Sequence, residues 1–227
     1  MLFMLHGAVG HFRDWHSFSN LLDGYDSNAV DLYAKSDEGL DSYAERLNSA
    51  ATLGDALIGY SMGGRLALHS LVHPSSKWSR AVIISAHPGL AEEKEKSDRK
   101  SSDLRWVELL KTDFDLFLQK WAQQPVFGGH EMSCDKSRKS LSPENIQRCF
   151  TSWSLGSQRN LAPELENLQI PVLWITGEKD AKFTEIARKV TVRMPDCRLE
   201  VIPGSGHRCP WEQPELTASL IRSFLSA

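Results

Sequence analysis

The sequence predicts an α/β fold: a mostly parallel sheet of about six strands, helices on both of its faces, and a helical cap inserted late in the sheet. Three observations carry this reading. Six short apolar runs each end in a turn or a polar stretch. Amphipathic segments of helical period alternate with them. The alternation stops between about His87 and Gln169, then resumes. Alternating strand and helix implies parallel strands covered on both faces. A chain of 227 residues suits one domain, or one domain with a small insertion.

The elements follow in order. Met1–Leu5 is a buried strand running into His6-Gly7. Asn28–Leu32, Ala56–Tyr60, Ala81–Ser85, Val172–Gly177 and Arg198–Ile202 complete the set of strands. Helices are expected over Asp41–Ala51, Gly63–Val72, Thr184–Arg193 and Glu212–Leu225. The interrupting stretch contains amphipathic segments, among them Asp103–Lys111 and Phe114–Gln123. It reads as a cap of residues 87–169 lying over the strand ends, with 1–86 and 170–227 as the core. The charge run Glu92–Lys100 reads as a solvated helix face.

Composition narrows the function. Hydrophobic residues make up 41% of the chain, enough for a core, and charged residues 24%, so the chain does not read as disordered. A net charge of −3 lacks the basic excess of a nucleic-acid binder. Cys134, Cys149, Cys197 and Cys209 form no C-x-x-C pair and no Cys/His cluster, which argues against a metal site. No cofactor is called for. Scattered cysteines without a signal peptide point to reduced thiols in the cytoplasm. The apolar start Met1–Leu5 is too short for a signal peptide or a membrane span.

Three motifs carry chemistry. Gly59-Tyr60-Ser61-Met62-Gly63 is a G-x-S-x-G sequence between an apolar strand and a helical pattern. That context places Ser61 on a nucleophile elbow, where small flanking residues let the backbone crowd and the helix N-terminus favours developing negative charge. An ordinary glycine-rich turn with a capping serine would share the pattern but has no need of that context. His207 follows the last strand in Gly204-Ser205-Gly206-His207, free to reach the elbow. The acid should follow the preceding strand. Asp180 is preferred there over Glu178, which sits closer to the strand end. The order Ser61, Asp180, His207 is that of the α/β-hydrolase fold. In this triad Asp180 orients the imidazole and His207 takes the Ser61 proton. Leu5-His6-Gly7-Ala8 follows the first strand, so the backbone N–H groups of Ala8 and Met62 are expected to form the oxyanion hole. The imidazole of His6 is read as structural.

Further stretches make the resemblance specific. They are Trp15, Gly64-Arg65, His87-Pro88-Gly89-Leu90, Ser102-Asp103 with Trp106, Trp121, Gln123-Gln124-Pro125-Val126-Phe127 and Gly177-Glu178-Lys179-Asp180-Ala181-Lys182-Phe183. With them, most of the chain resembles the 2-succinyl-6-hydroxy-2,4-cyclohexadiene-1-carboxylate synthases of menaquinone biosynthesis. The resemblance implies an enzyme that eliminates pyruvate from a cyclohexene polycarboxylate, with the triad serine as base. It implies substrate-binding roles for Tyr60, Arg65, Arg99, Trp121 and, by weaker spacing, Arg138. Fixed arginines suit a small anionic substrate because guanidinium binds carboxylate bidentately. Arg65 could instead serve a structural salt bridge, Arg99 and Arg138 a solvated face, and Trp121 the cap core. Two departures stand out. Tyr33-Ala34-Lys35-Ser36 replaces the family's usual Pro-Gly-His-Gly turn. The strands that usually precede the first one are not present, so Asn28–Leu32 is expected at an exposed sheet edge. A carboxylesterase or thioesterase would use the same triad, and a non-catalytic binding protein would have no use for it.

Overall fold

The computed structural model describes residues 1–35, 38–128 and 141–227. Its centre is β3 (Ala56–Tyr60), an apolar run buried on both faces and paired in parallel with β1 (Leu2–Leu5) and β4 (Arg80–Ile84). β2 (Ser27–Val30) pairs with β1, and β5 (Val172–Gly177) lies between β4 and β6 (Cys197–Ile202). Among the described residues these form one six-stranded parallel sheet in the order β2-β1-β3-β4-β5-β6. β2 is therefore an edge strand, as expected.

Alternate side chains of each strand feed opposite layers, because successive residues point to opposite faces. Phe3, Leu5, Leu57, Ile83 and Trp174 pack on one face, and Leu2, Met4, Ile58, Val82 and Ile175 on the other. The first layer takes α2 (Leu40–Ala50), α3 (Met62–Val72) and α8 (Ala181–Thr191). The second takes α1 (Trp15–Ser19) and α10 (Pro214–Leu225).

Several boundaries differ from the sequence reading. The strand expected over Asn28–Leu32 stops at Val30, because the Asp31 carboxylate accepts the Tyr33 N–H at 3.0 Å and the chain turns into a 3-10 helix at Leu32. Ser85, with φ 47°, leaves β4 rather than ending it. The helix expected over Glu212–Leu225 is two: α9 (Cys209–Glu212) and α10. Gln213, at φ −137° and ψ 63°, leaves the helical region that a following proline disfavours, and Pro214 then restarts the helix. Thr184–Arg193 begins earlier, at Ala181, directly behind Asp180.

Between β4 and β5 the chain forms helices. The segment Asp103–Lys111 is only the second half of α4 (Glu93–Thr112). The charge run makes its first half, where Lys94–Asp98 and Lys96–Glu93 pair along the surface. Asp113 then caps α5 (Phe114–Ala122) by accepting the Leu116 N–H. α6 (Pro143–Thr151) and α7 (Ala162–Leu165) follow. No described helix is long and apolar enough to cross a membrane.

Candidate active site

Ser61 sits where β3 turns into α3, at φ 52° and ψ −110°. A non-glycine residue holds such a conformation only where its surroundings impose it. They do so by close packing: a Cβ on Gly63 would collide with the Leu5 and His6 carbonyls, and one on Gly59 with the Gly64 backbone. Glycine at both places lets the helix start press against the end of β1.

The structure brings Ser61, His207 and Asp180 together. His207 Nε2 lies 3.1 Å from Ser61 Oγ, and His207 Nδ1 lies 2.6 Å from Asp180 Oδ2. His207 and Asp180 are buried and Ser61 is half-buried. The rival carboxylate, Glu178, is engaged elsewhere: it accepts the Gly204 N–H at 2.9 Å and so steadies the histidine loop. Glu212 brackets the histidine itself. One of its oxygens accepts the Gly206 N–H and the other the Arg208 N–H. The ring of His207 is walled by Phe183 at 4.5 Å, Tyr60 at 5.5 Å and Phe127 at 6.0 Å. Buried Cys209 is close by, but burial pushes its thiol up to about 12, so it stays protonated at neutral pH.

The Gly7-Ala8 turn lies against the elbow. A Cβ on Gly7 would stand 3.5 Å from Ser61 Cβ and clash with the Tyr60 ring. Met62 opens α3 directly after Ser61. His6 is tied inside the fold, with Nδ1 at 2.9 Å from the Gly7 carbonyl and Nε2 accepting the Leu32 N–H at 3.3 Å. Tyr60 is buried beside Trp211, and the Arg208 side chain hydrogen-bonds it. Burial raises the Tyr60 phenol well above its ordinary range, so it stays neutral.

Arg65 is buried one turn along α3, and among the described residues no carboxylate pairs with it. Its guanidinium donates to Gln158 Oε1 at 2.9 Å and to the Trp153 carbonyl at 2.7 Å. Burial first, then the neighbouring Arg99 charge, draws its pKa down to about 9, which leaves it cationic at neutral pH. Arg99 is half-exposed on α4 and its Nε donates to Asp103 at 2.8 Å. Trp121 lies in an aromatic cluster with Trp106 at 5.3 Å and Phe150 at 5.2 Å, and reaches His207 only through Phe127. Among the described residues its buried Nε1 has no hydrogen-bond partner. Arg138 lies outside the described residues.

Two residues emerge that the sequence reading left without a role. His87, just past β4, accepts the Gly89 N–H on Nδ1 at 3.0 Å, so its proton sits on Nε2. Burial first, then the charges of Lys182, Arg65 and Arg99, push its pKa down to about 4. Those three cations come from α8, α3 and α4, so charges on three separate elements lie within electrostatic reach of His87. Lys182 follows Asp180 by two residues and lies 6.0 Å from the Phe183 ring that walls His207. Both residues stand in stretches already noted for their resemblance. No periodicity or motif reports that separate elements bring their charges to one place.

The family model described as "Alpha/beta hydrolase family" matches residues 2–220. A 2-succinyl-6-hydroxy-2,4-cyclohexadiene-1-carboxylate synthase from Serratia proteamaculans is 27% identical over 99% of this chain and 92% of its own length. One of the same name from Enterobacter sp. is 29% identical over 99% and 91%. Among solved structures, MenH from S. aureus superposes with a TM-score of 0.93 at 27% identity, covering 99% of this chain and 92% of that one. An esterase from Exiguobacterium antarcticum shares the fold at a TM-score of 0.78 and 21% identity, covering 100% and 91%.

Proposed function

This chain belongs to the α/β-hydrolase family, and from that premise we propose that it is a carbon–oxygen lyase acting on a cyclohexene polycarboxylate. The substrate is 2-succinyl-5-enolpyruvyl-6-hydroxy-3-cyclohexene-1-carboxylate, and the products are 2-succinyl-6-hydroxy-2,4-cyclohexadiene-1-carboxylate and pyruvate. The observation that carries the proposal is buried Arg65, whose partner Gln158 donates to the His87 carbonyl, with Arg99 and Lys182 also within electrostatic reach of His87, in a protein with a Ser61–His207–Asp180 hydrogen-bonded chain. A hydrolase of neutral esters has no use for three cations there, whereas several carboxylates need them.

The chemistry runs as follows. His207 takes the Ser61 proton while Asp180 holds the imidazole and favours its cation. The Ser61 oxygen then removes a ring proton. The electron pair left on C2 forms a C2=C3 double bond, the existing C3=C4 pair shifts to C4=C5, and the C5–O bond to the enolpyruvyl group breaks. The leaving enolate takes a proton on carbon to become pyruvate. The Ala8 and Met62 N–H groups stabilise anionic oxygen during the reaction. Tyr60 and Trp121 line the pocket, and Arg138 adds a third arginine. Residues 87–169 act as a cap over a core of 1–86 and 170–227. The place of work is the cytoplasm, on a small dissolved anion.

The competing reading is a carboxylesterase or thioesterase, which the same triad would serve. Incubating purified protein with the pathway intermediate and following pyruvate release separates the two. Pyruvate formed in proportion to enzyme supports the lyase. Hydrolysis of p-nitrophenyl esters with no pyruvate release would overturn it in favour of the esterase.

A further inference from the structure

Asp103 is a carboxylate on the face of α4 that carries buried Val107 and Leu110, and only 2% of it meets solvent. Burying an ionised carboxylate is costly unless its oxygens are engaged. Here both are. Oδ1 accepts the Arg99 Nε–H at 2.8 Å. Oδ2 accepts the Ser154 hydroxyl at 2.7 Å, and that hydroxyl oxygen accepts the Gly156 N–H at 3.0 Å. Ser154 arrives from the loop after α6, which is pressed onto α4 so closely that a Cβ on Gly156 would strike the Lys96 carbonyl. The contrast on the same helix is Lys94–Asp98, an i,i+4 pair whose side chains are 86% and 67% exposed. That pair is ordinary surface decoration.

The clamp holds Arg99 by one edge. Its Nε is used, while among the described residues its two terminal nitrogens have no protein partner. Neighbouring Arg65 is held the opposite way, by its terminal nitrogens. Asp103 also lies close enough to Arg65 to offset part of the repulsion from Arg99. A guanidinium fixed at Nε offers its outer edge as a fork that matches a carboxylate.

We infer that Asp103, locked by Ser154, is a positioning residue that fixes Arg99 as a bidentate fork for one carboxylate of the substrate. This rests on the anionic-substrate reading above. It adds that selectivity depends on a carboxylate that never touches the substrate.

The test uses Asp103→Asn, which keeps the shape and one acceptor oxygen for Arg99 but removes the charge and turns a donor toward Ser154. Ser154→Ala keeps the charge and removes the lock. With the full-length protein and the polycarboxylate, Asp103→Asn is expected to raise KM about 10-fold and Ser154→Ala about 3-fold, with kcat within about 2-fold of the parent. Asp103→Asn added to Arg99→Ala should weaken binding no further, because Asp103 acts through Arg99. A fall in kcat at unchanged KM, or losses that add in the double variant, would overturn the inference. Should Asp103→Asn fail to give a cooperative thermal transition, Ser154→Ala alone and combined with Arg99→Ala is judged by the same criteria. If Arg99→Ala itself leaves KM at the parent value, the anionic-substrate reading falls and this inference with it. If Arg99→Ala raises KM while Asp103→Asn and Ser154→Ala do not, only this inference falls.

Discussion

Ser61, Asp180 and His207 stand at the ends of β3, β5 and β6, whereas Arg99, Asp103, Trp153 and Gln158 come from the stretch between β4 and β5. The first group is fixed by the sheet. Parallel strands in register carry their C-terminal ends to one side, and each following turn needs only a few residues to present its side chain. The backbone N–H groups of Gly204, Gly206 and Arg208 then steady the loop by donating to the Glu178 and Glu212 carboxylates. The second group is fixed by contacts between segments far apart in sequence, such as Arg65 with Gln158 and Asp103 with Ser154. Chemistry and selectivity therefore rest on different parts of the chain. A strand-end triad can remain in place while an inserted segment changes what is read.

If that division is right, variants of the triad and of the cationic wall must behave differently. Ser61→Ala should cause the largest loss, about 10⁴-fold or more in kcat for pyruvate release and for any ester turned over, since triad members act as a unit. Its thermal midpoint should stay at the parent value, because the half-buried hydroxyl contributes little packing. Selective loss of one activity would break the comparison at its first half.

Arg65→Ala comes next. Loss of a charge-assisted contact should lower kcat/KM for the polycarboxylate roughly 10- to 150-fold and leave a neutral ester nearly untouched. Parallel kinetics on the two substrates decide it. An equal fall on both would mean that Arg65 only braces Gln158 and the Trp153 carbonyl, and the second half of the comparison would fail.

The smallest expected effect reports on the wall without any substrate. His87 is held at about 4 in the folded protein against an ordinary 6.5. Between those values the unfolded chain binds a proton that the folded chain refuses, so stability must fall as pH falls through that window. His87→Gln should remove about 2 kcal/mol of this acid-side loss, less than the full shift implies because the ring is partly exposed. Urea unfolding of both proteins at neutral pH and near the lower limit measures it. Parallel curves would mean that neither burial nor the charges of Lys182, Arg65 and Arg99 hold that ring neutral.

The sheet and the places of Ser61, Asp180 and His207 were legible before any tertiary contact was known. Apolar runs such as Ala56–Tyr60 and Val172–Gly177 were legible because a strand buried on both faces needs nothing from its neighbours except more of the same. Ser61 was legible because a tight turn between strand and helix demands glycines at fixed offsets. Even the choice between Glu178 and Asp180 followed from how far each stands beyond the strand end. Tertiary structure decided the rest. Asp103 shares the face of α4 that carries buried Val107 and Leu110, but nothing local says what engages its second oxygen, which is Ser154, 51 residues away. Nothing local says that His87 meets charges from three helices, or that Arg65 would take neutral acceptors in place of a carboxylate. Backbone geometry is written in short-range spacing, but electrostatic neighbourhoods arise only when distant segments close on one another and exclude water between them.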